Sequence, residues 1–300
     1  MPLATREIKR RIRSIQNTHK ITKAMEMVAA AKMRKAVQAV LATRVYARSA
    51  WDIIGDLAAK TDPSHHPLLQ KREKVKRLGL IVIASNRGLA GGFNREIVEK
   101  VADYLKKQKE QKAQISAEVI LMGKRGRDIM FKYGHQIVAE YDKLDVSPGV
   151  SEITAMAKTV ITDYINGKYD KVLIVYTDYQ SAMVQKSKIR KILPIERGDD
   201  ELGYMAGAKP EKLEEYEYLF EPSPDLVLEQ MLYRLIELQI YQALLETNAS
   251  EHSARMLAMR NASEAASDMI FDLTLSYNQA RQQAITAELA DISAGRAAVE

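Results

Sequence analysis

DLVLEQMLYRLIELQIYQALLETNASEHSARMLAMRNASEAASDMIFDLTLSYNQARQQAITAELADISA, running from Asp225 to Ala294, contains no proline and no glycine. Nothing in the stretch breaks a helix, and at ~1.5 Å per residue it makes a rod roughly 100 Å long. Every seventh residue from Met231 (Leu238, Leu245, His252, Met259, Ala266, Leu273, Ala280, Ala287, Ala294) is apolar except His252. A companion series from Leu228 through Leu235, Met256, Ile270, Tyr277 and Ala284 is more mixed, and the series one residue beyond that of Met231 (Leu232, Gln239, Glu246, Ser253, Arg260) is mostly polar. A seven-residue apolar repeat held over this length imposes a left-handed supercoil with a partner helix. A globular core of ordinary size cannot enclose such a rod, so its partner must come from the other end of the chain or from outside it.

The other end offers one. Leu3 to Ile54 is also free of proline and glycine. Ile8, Ile12 and Ile15 form an apolar stripe at helical spacing, which Ile21, Met25 and Val28 are expected to continue on a slightly rotated strip. The stripe then thins into Ala29, Ala30, Ala31, Ala36 and Ala39, small enough to admit a neighbouring helix closely. From Arg6 to Arg48 there are twelve Lys and Arg against two acids, Glu7 and Glu26. With a chain total of +6, that surplus of ten leaves the remainder net acidic by four. A basic helix suits nucleic acid, an anionic membrane or an acidic protein; only Tyr46 and Trp51 supply aromatics here, which argues against single-stranded nucleic acid.

Between the two runs the pattern changes. LGLIVIA (Leu78 to Ala84), EVILMG (Glu118 to Gly123) and KVLIVYT (Lys171 to Thr177) are short apolar runs rich in β-branched residues. They alternate with helical patterns at Asn94 to Lys109, Arg125 to Tyr133 and Val150 to Asn166, the signature of a mostly parallel sheet covered on both faces. Ser181 to Ile195 alternates in polarity and suits an added antiparallel strand. Gly198 to Pro224 is an acidic connector marked by proline and glycine. The expected divisions are therefore 1–60 as an N-terminal shaft helix, 61–77 as a linker, 78–197 as an α/β head, 198–223 as the connector and 224–300 as a C-terminal shaft helix.

Both rods leave the same head, so they should run antiparallel with Trp51 level with about Leu228. Equal rise then sets Met25 opposite Ala254 and Arg255 and Thr5 opposite Thr274, and leaves everything beyond Leu275 as a single Ala-rich helix.

Catalytic motifs are scarce. The chain has no cysteine, which removes disulfides, thiolate ligands and cysteine nucleophiles. The five histidines are scattered without metal-ligand spacing, and Asp199-Asp200 lies in the acidic connector. SNRGLAGGFN (Ser85 to Asn94) links a strand to a helix, as a phosphate cradle does, yet it matches neither GxGxxG nor GxxxxGK[ST]. A tight turn needing positive φ accounts for its glycines. The amino terminus lacks the apolar region of a secretory signal, and no apolar stretch approaches the ~20 residues of a membrane span.

Three long segments carry a resemblance: IQNTHKITKAMEMVAAAKMRKA (Ile15 to Ala36), ASNRGLAGGFN (Ala84 to Asn94), and ARMLAMRNASEAASDMI with YNQARQQAITAELADISAGRAAV near the carboxyl terminus. Together they resemble the gamma subunit of F-type ATP synthases, bacterial type, in the right order over essentially the whole chain. Departures are small: Asn86 stands where the family commonly has Asp, Ala90 where many members carry Cys, and the regulatory cysteine insertion of the chloroplast type is absent. The resemblance implies a left-handed two-helix antiparallel shaft flanking a Rossmann-like, mostly parallel α/β head. It also implies a central rotor stalk with no catalytic, cofactor or metal residues of its own. Its implied partners are the hexameric ring of alpha and beta subunits, the epsilon subunit and the membrane c-ring, with one copy per complex on the cytoplasmic face of the plasma membrane. Rotation would cycle three catalytic sites to synthesise ATP. By position in the matching motifs, Lys20, Lys23, Met25, Arg255, Gln282 and Thr286 are the implied rotor–stator contacts. Two other readings of the residues stay open: a coiled-coil scaffold that binds an acidic partner, and a nucleotide-using enzyme built around Ser85 to Asn94.

Overall fold

The computed structural model describes residues 3–60, 66–72, 74–110, 115–132, 136–145, 149–195, 221 and 223–297, with the side chains of the long first helix described for residues 5–43. Most of the acidic connector, including Asp199-Asp200, lies outside the described residues, as do His65, His135 and the side chain of Trp51. The elements are α1 (Leu3–Lys60), β1 (Arg77–Ile83), α2 (Phe93–Glu110), β2 (Ser116–Met122), α3 (Lys124–Lys132), β3 (Ile137–Tyr141), α4 (Ser151–Ile165), β4 (Lys171–Tyr179), β5 (Gln185–Leu193) and α5 (Pro224–Ala297). The chain divides into two compact units, residues 30–254 and residues 1–29 with 255–300.

In the unit of residues 30–254, five strands lie in the order β3-β2-β1-β4-β5. The first four pair in parallel and β5 pairs antiparallel with β4. Period-two alternation sorts the strand side chains into two cores. Leu78, Leu80, Val82, Val119, Leu121, Leu173 and Val175 face Phe93, Ile97, Val98 and Val101 of α2 and Met130 of α3. Ile81, Ile83, Ile120, Met122, Val172, Ile174 and Tyr176 face α4 and the first turns of α5, from Leu228 to Leu244. Apolar residues on both faces are what a sheet sandwiched between helix layers requires, so the start of α5 is itself a wall of this core.

One strand was not foreseen. Ile137 to Tyr141, IVAEY, pairs with β2 at the edge of the sheet. Its half-polar alternation over five residues carries too little apolar signal to separate it from a loop. The opposite edge, β5, carries Lys186, Lys188, Arg190 and Lys191, charges that discourage pairing with another chain. Residues 66–72 lie against the core rather than hanging free. Leu68 is fully buried and its carbonyl accepts from Ile195 N–H at 2.9 Å, while His66 Nδ1 accepts from Leu68 N–H at 3.3 Å. Asp170 fastens the same segment: its carboxylate accepts from Arg72 at 3.1 Å, from the Arg77 guanidinium at 3.0 Å, and from the backbone N–H groups of Lys76 and Arg77 at 3.0 and 2.8 Å.

Still within that unit, α1 packs antiparallel on α5. Val40 is buried with Leu245 and Ala249, and Ser253 Oγ donates to Met33 Sδ at 3.0 Å. The expected alignment put Met33 level with Glu246, so the observed register lies seven residues farther along α5, one full heptad. A repeating apolar pattern cannot tell these alignments apart.

In the unit of residues 1–29 and 255–300, burial on α5 recurs at Met259, Ser263, Ala266, Ile270, Leu273, Tyr277, Ala280 and Ala284, alternating steps of four and three, and everything described from Ile285 onward is exposed. The exposed overhang therefore starts at Ile285 and not after Leu275. Burial on α1 follows Thr5, Ile8, Ile12, Ile15, His19, Thr22, Glu26 and Ala29 at the same spacing. The expected continuation through Ile21 and Val28 is wrong: they are 60% and 57% exposed, whereas Thr22 and Ala29 are 8% and 2% exposed. A strict 3.5-residue phase set by the three isoleucines lands on these small residues, and the larger apolar ones are turned outward.

Candidate functional site

Two places on the chain have the character of a site. The first lies where a doubly wound sheet ordinarily binds ligands, the crevice beyond the carboxyl ends of the strands at the point where strand order reverses. Here that point is between β1 and β4. Three chain segments converge on it: the turn after β1, the loop after β3 and the end of β4. The crevice is filled by the chain's own helix α5.

Thr247 Oγ1 accepts from Thr177 N–H at 3.4 Å and Ser250 Oγ donates to the Thr177 carbonyl at 3.2 Å, which ties α5 to β4. Asn248 Nδ2 donates to the Leu144 carbonyl at 3.0 Å, and His252 Nε2 lies 2.9 Å from the Asp145 carbonyl. Lys143, wholly buried, forms an ion pair and hydrogen bond with Glu251, 1% exposed, and lies 3.9 Å from Asp145. From the turn after β1, Asn86 Nδ2 donates to the Lys143 carbonyl and, at 3.2 Å, to Asp145 Oδ1. His252 is the single polar member of its heptad series, and this contact explains it. No sequence signal pointed to Lys143 or Glu251: they are 108 positions apart.

The Ser85–Asn94 turn holds itself. Ser85 N–H donates to Asn94 Oδ1 at 3.0 Å, and Ser85 Oγ donates to the Arg87 carbonyl at 2.7 Å. Positive φ occurs at Gly91 and, unexpectedly, at Leu89, with φ of 59° and 63°. Asn94 Oδ1 thus occupies the Ser85 N–H, and Phe93 N–H donates to the Ala90 carbonyl, which takes two backbone donors that a phosphate would need. Among the described residues, no group of three or more His, Asp or Glu side chains is placed to hold a metal ion.

The second place is the surface of the unit of residues 1–29 and 255–300, which carries all six sequence-expected contact residues. Lys20 and Lys23 are exposed on α1, and Lys23 Nζ lies 3.0 Å from Glu26. Met25 is half-buried between the exposed Ile21 and Val28. Arg260 is held charged first by Glu264, its hydrogen-bond partner four residues along, and also by Glu26 of α1. Arg255 is half-buried. Gln282 and Thr286 are exposed one turn apart, Thr286 Oγ1 donating to the Gln282 carbonyl at 2.9 Å. Ile285, Leu289 and Ile292 add an exposed apolar strip on the same stretch of helix.

A chain with this fold has known counterparts. The family described as ATP synthase matches residues 4–299. The ATP synthase gamma chain of Herpetosiphon aurantiacus is 43% identical over 303 residues, covering 99% of both chains.

This chain belongs to the ATP synthase gamma-chain family.

Gamma chains from other bacteria agree: that of Heliobacterium modesticaldum is 43% identical over 98% of both chains, and that of Xanthomonas axonopodis pv. citri 40% identical over 98% of this chain and 99% of its own. Among solved structures, a chain of the Euglena gracilis mitochondrial ATP synthase (OSCP/F1/c-ring, rotational state 3) superposes with a TM-score of 0.66. It is 22% identical, over 99% of this chain and 94% of that one. A second, from the rotor of the same organism's enzyme, gives 0.62 at 23% identity over 94% and 99%. These likenesses establish a fold shared with those two chains of ATP synthase assemblies over nearly their whole length. No described helix is long and apolar enough to cross a membrane.

Proposed function

We propose that this chain is the central rotor stalk of the F1 sector of a proton-translocating F-type ATP synthase. It couples rotation of the c-ring to the conformational cycling of three catalytic sites and carries no catalytic residue itself. The observation that carries this reading is the gamma-chain likeness at 43% identity from end to end. Its partners are the alternating alpha and beta subunits around the shaft, and the epsilon subunit and c-ring at the head. Its place is peripheral, on the cytoplasmic face of the membrane.

The shaft is an antiparallel, left-handed coiled coil of α1 and α5. The 4-3 alternation of buried residues on both helices supports this, because a left-handed supercoil is what keeps a 3.5-residue stripe facing its partner. Ile285 to Ala297 is the solitary tip, seated in the ring of alpha and beta subunits. The rotor–stator contacts are Lys20, Lys23 and Met25 on one helix and Arg255, Gln282 and Thr286 on the other. Support comes from exposure of a basic and apolar surface on α1 that no described part of the chain covers. A rotor must slide, so distributed exposed charges, each pair worth ~0–1 kcal/mol, suit it better than a locked, desolvated pair.

Reconstitution tests the reading. Alpha and beta subunits mixed with this chain should yield an active ATPase where the mixture without it is inert; absence of activation would overturn it. Met25→Lys adds a charge on the outward strip beside Lys23, and should lower ATP synthesis driven by a proton gradient. Unaltered synthesis in that variant would remove Met25 from the contact set.

A further inference from the structure

We infer that Lys143 and Glu251 form a register lock, a positioning pair that stops α5 from slipping in the head under torque. The inference rests on the rotor reading above. A heptad stripe alone cannot hold a helix in axial place, because a shift of seven residues restores the same apolar pattern. Around the sheet's carboxyl edge, however, α5 presents groups that do not repeat at seven. A shift by one heptad in either direction would place Leu244 or Ala258 where Glu251 stands, taking from the buried Lys143 ammonium its hydrogen-bonded counter-charge and leaving only Asp145 at 3.9 Å. The same shift would put Tyr241 or Arg255 at the position of Asn248, and Leu245 or Met259 at that of His252, so the hydrogen bonds to Leu144 and Asp145 would be lost together.

The other half of the lock is anchored independently of α5. Lys143 sits in the short loop after β3, and Asn86 in the turn after β1 donates to both the Lys143 carbonyl and Asp145. Asn86 Oδ1 accepts in turn from Lys124 N–H at the start of α3, at 3.3 Å. Two loops of the sheet therefore grip one turn of the shaft helix through Lys143–Glu251. The apolar wall at Leu228 to Leu244 already opposes a heptad slip, which would bring Gln239, Gln242 and Glu251 into the places of Leu232, Leu235 and Leu244; the buried, directional ion pair adds resistance at the sheet's carboxyl edge, where α5 is polar.

The test uses the complete synthase in proton-tight vesicles, with Lys143→Met, Glu251→Leu and the double variant. Either single change takes from a buried charge its hydrogen-bonded counter-charge and is expected to lower the chain's Tm. The apolar double variant removes both charges at similar volume, so the chain should fold with Tm at or above the parent's. The lock predicts that this well-folded double variant hydrolyses ATP but pumps several-fold fewer protons per ATP, and that the charge-swapped pair Lys143→Glu/Glu251→Lys recovers part of the loss. Full coupling in the double variant would reduce the pair to a packing element and overturn the proposal. If the parent chain itself failed to activate alpha and beta subunits, the rotor reading would fail instead, and the two outcomes are distinct.

Discussion

Ser253 Oγ on α5 donates to Met33 Sδ on α1 at 3.0 Å, and this contact, with Val40 buried against Leu245 and Ala249, gives the alignment of the two long helices within residues 30–254. The apolar repeats of both helices would have been satisfied equally well seven residues away. The contact also converts an ambiguous pattern into a measurable distance.

The parent chain contains no cysteine, so introduced pairs report cleanly. Met33→Cys with Ser253→Cys should form an intramolecular disulfide on mild oxidation, visible as faster migration on a non-reducing gel. Met33→Cys with Glu246→Cys, the alignment one heptad back, should remain reduced because the sulfurs cannot approach bonding distance. The reverse result would move the register.

Gly123 joins β2 to α3 at φ +107°, and a Cβ there would lie 2.3 Å from the Ala84 carbonyl oxygen. Backbone strain and a clash with the backbone just after β1 both oppose any side chain. Gly123→Ala should cost at least about 3 kcal/mol, read as a lower midpoint in urea unfolding of the isolated chain.

Asp170 is buried, which by itself raises a carboxyl pKa, yet the hydrogen bonds from Arg77, Lys76 N–H and Arg77 N–H prevail and hold it at about 2. A folded-state pKa below the unfolded value means the carboxylate stabilises the fold above the ordinary range near 3.8 and loses that contribution as pH falls toward 2. Between pH 4 and 2, expressed as roughly the interval separating those two values, the parent should lose more stability than Asp170→Asn does. At neutral pH, Asp170→Ala should cost roughly 3 kcal/mol because four donors lose their acceptor. Parallel slopes for parent and Asp170→Asn would remove Asp170 from the acid response.

Two neighbouring positions on α1 should behave oppositely. Ala29 faces inward with 2% exposure, so Ala29→Leu should overpack the helix pair and cost about 1–3 kcal/mol in thermal unfolding. Ile21→Ser, on an exposed face, should change stability by no more than about 0.5 kcal/mol. If the outward strip meets the catalytic ring, that same substitution should weaken assembly with alpha and beta subunits, measured as the chain concentration needed for half-maximal ATPase activation.

Much of the architecture was legible without coordinates. The three apolar strands, the antiparallel fourth at Gln185–Leu193 and the helices between them all appear within a few residues of where periodicity puts them, because a strand buried on both faces and a helix buried on one leave different apolar periods. β3 escaped because an edge strand of five half-exposed residues has almost no such period.

The sequence by itself determined that two long helices exist, that one is basic, and that the other carries a seven-residue stripe, since these are local properties of composition and spacing. Only the tertiary structure decided the alignment of those stripes, the outward turn of Ile21 and Val28, and the pairing of Lys143 with Glu251. Each of those depends on which of several locally equivalent arrangements lets directional buried groups find partners, and that choice is made between segments far apart in the chain.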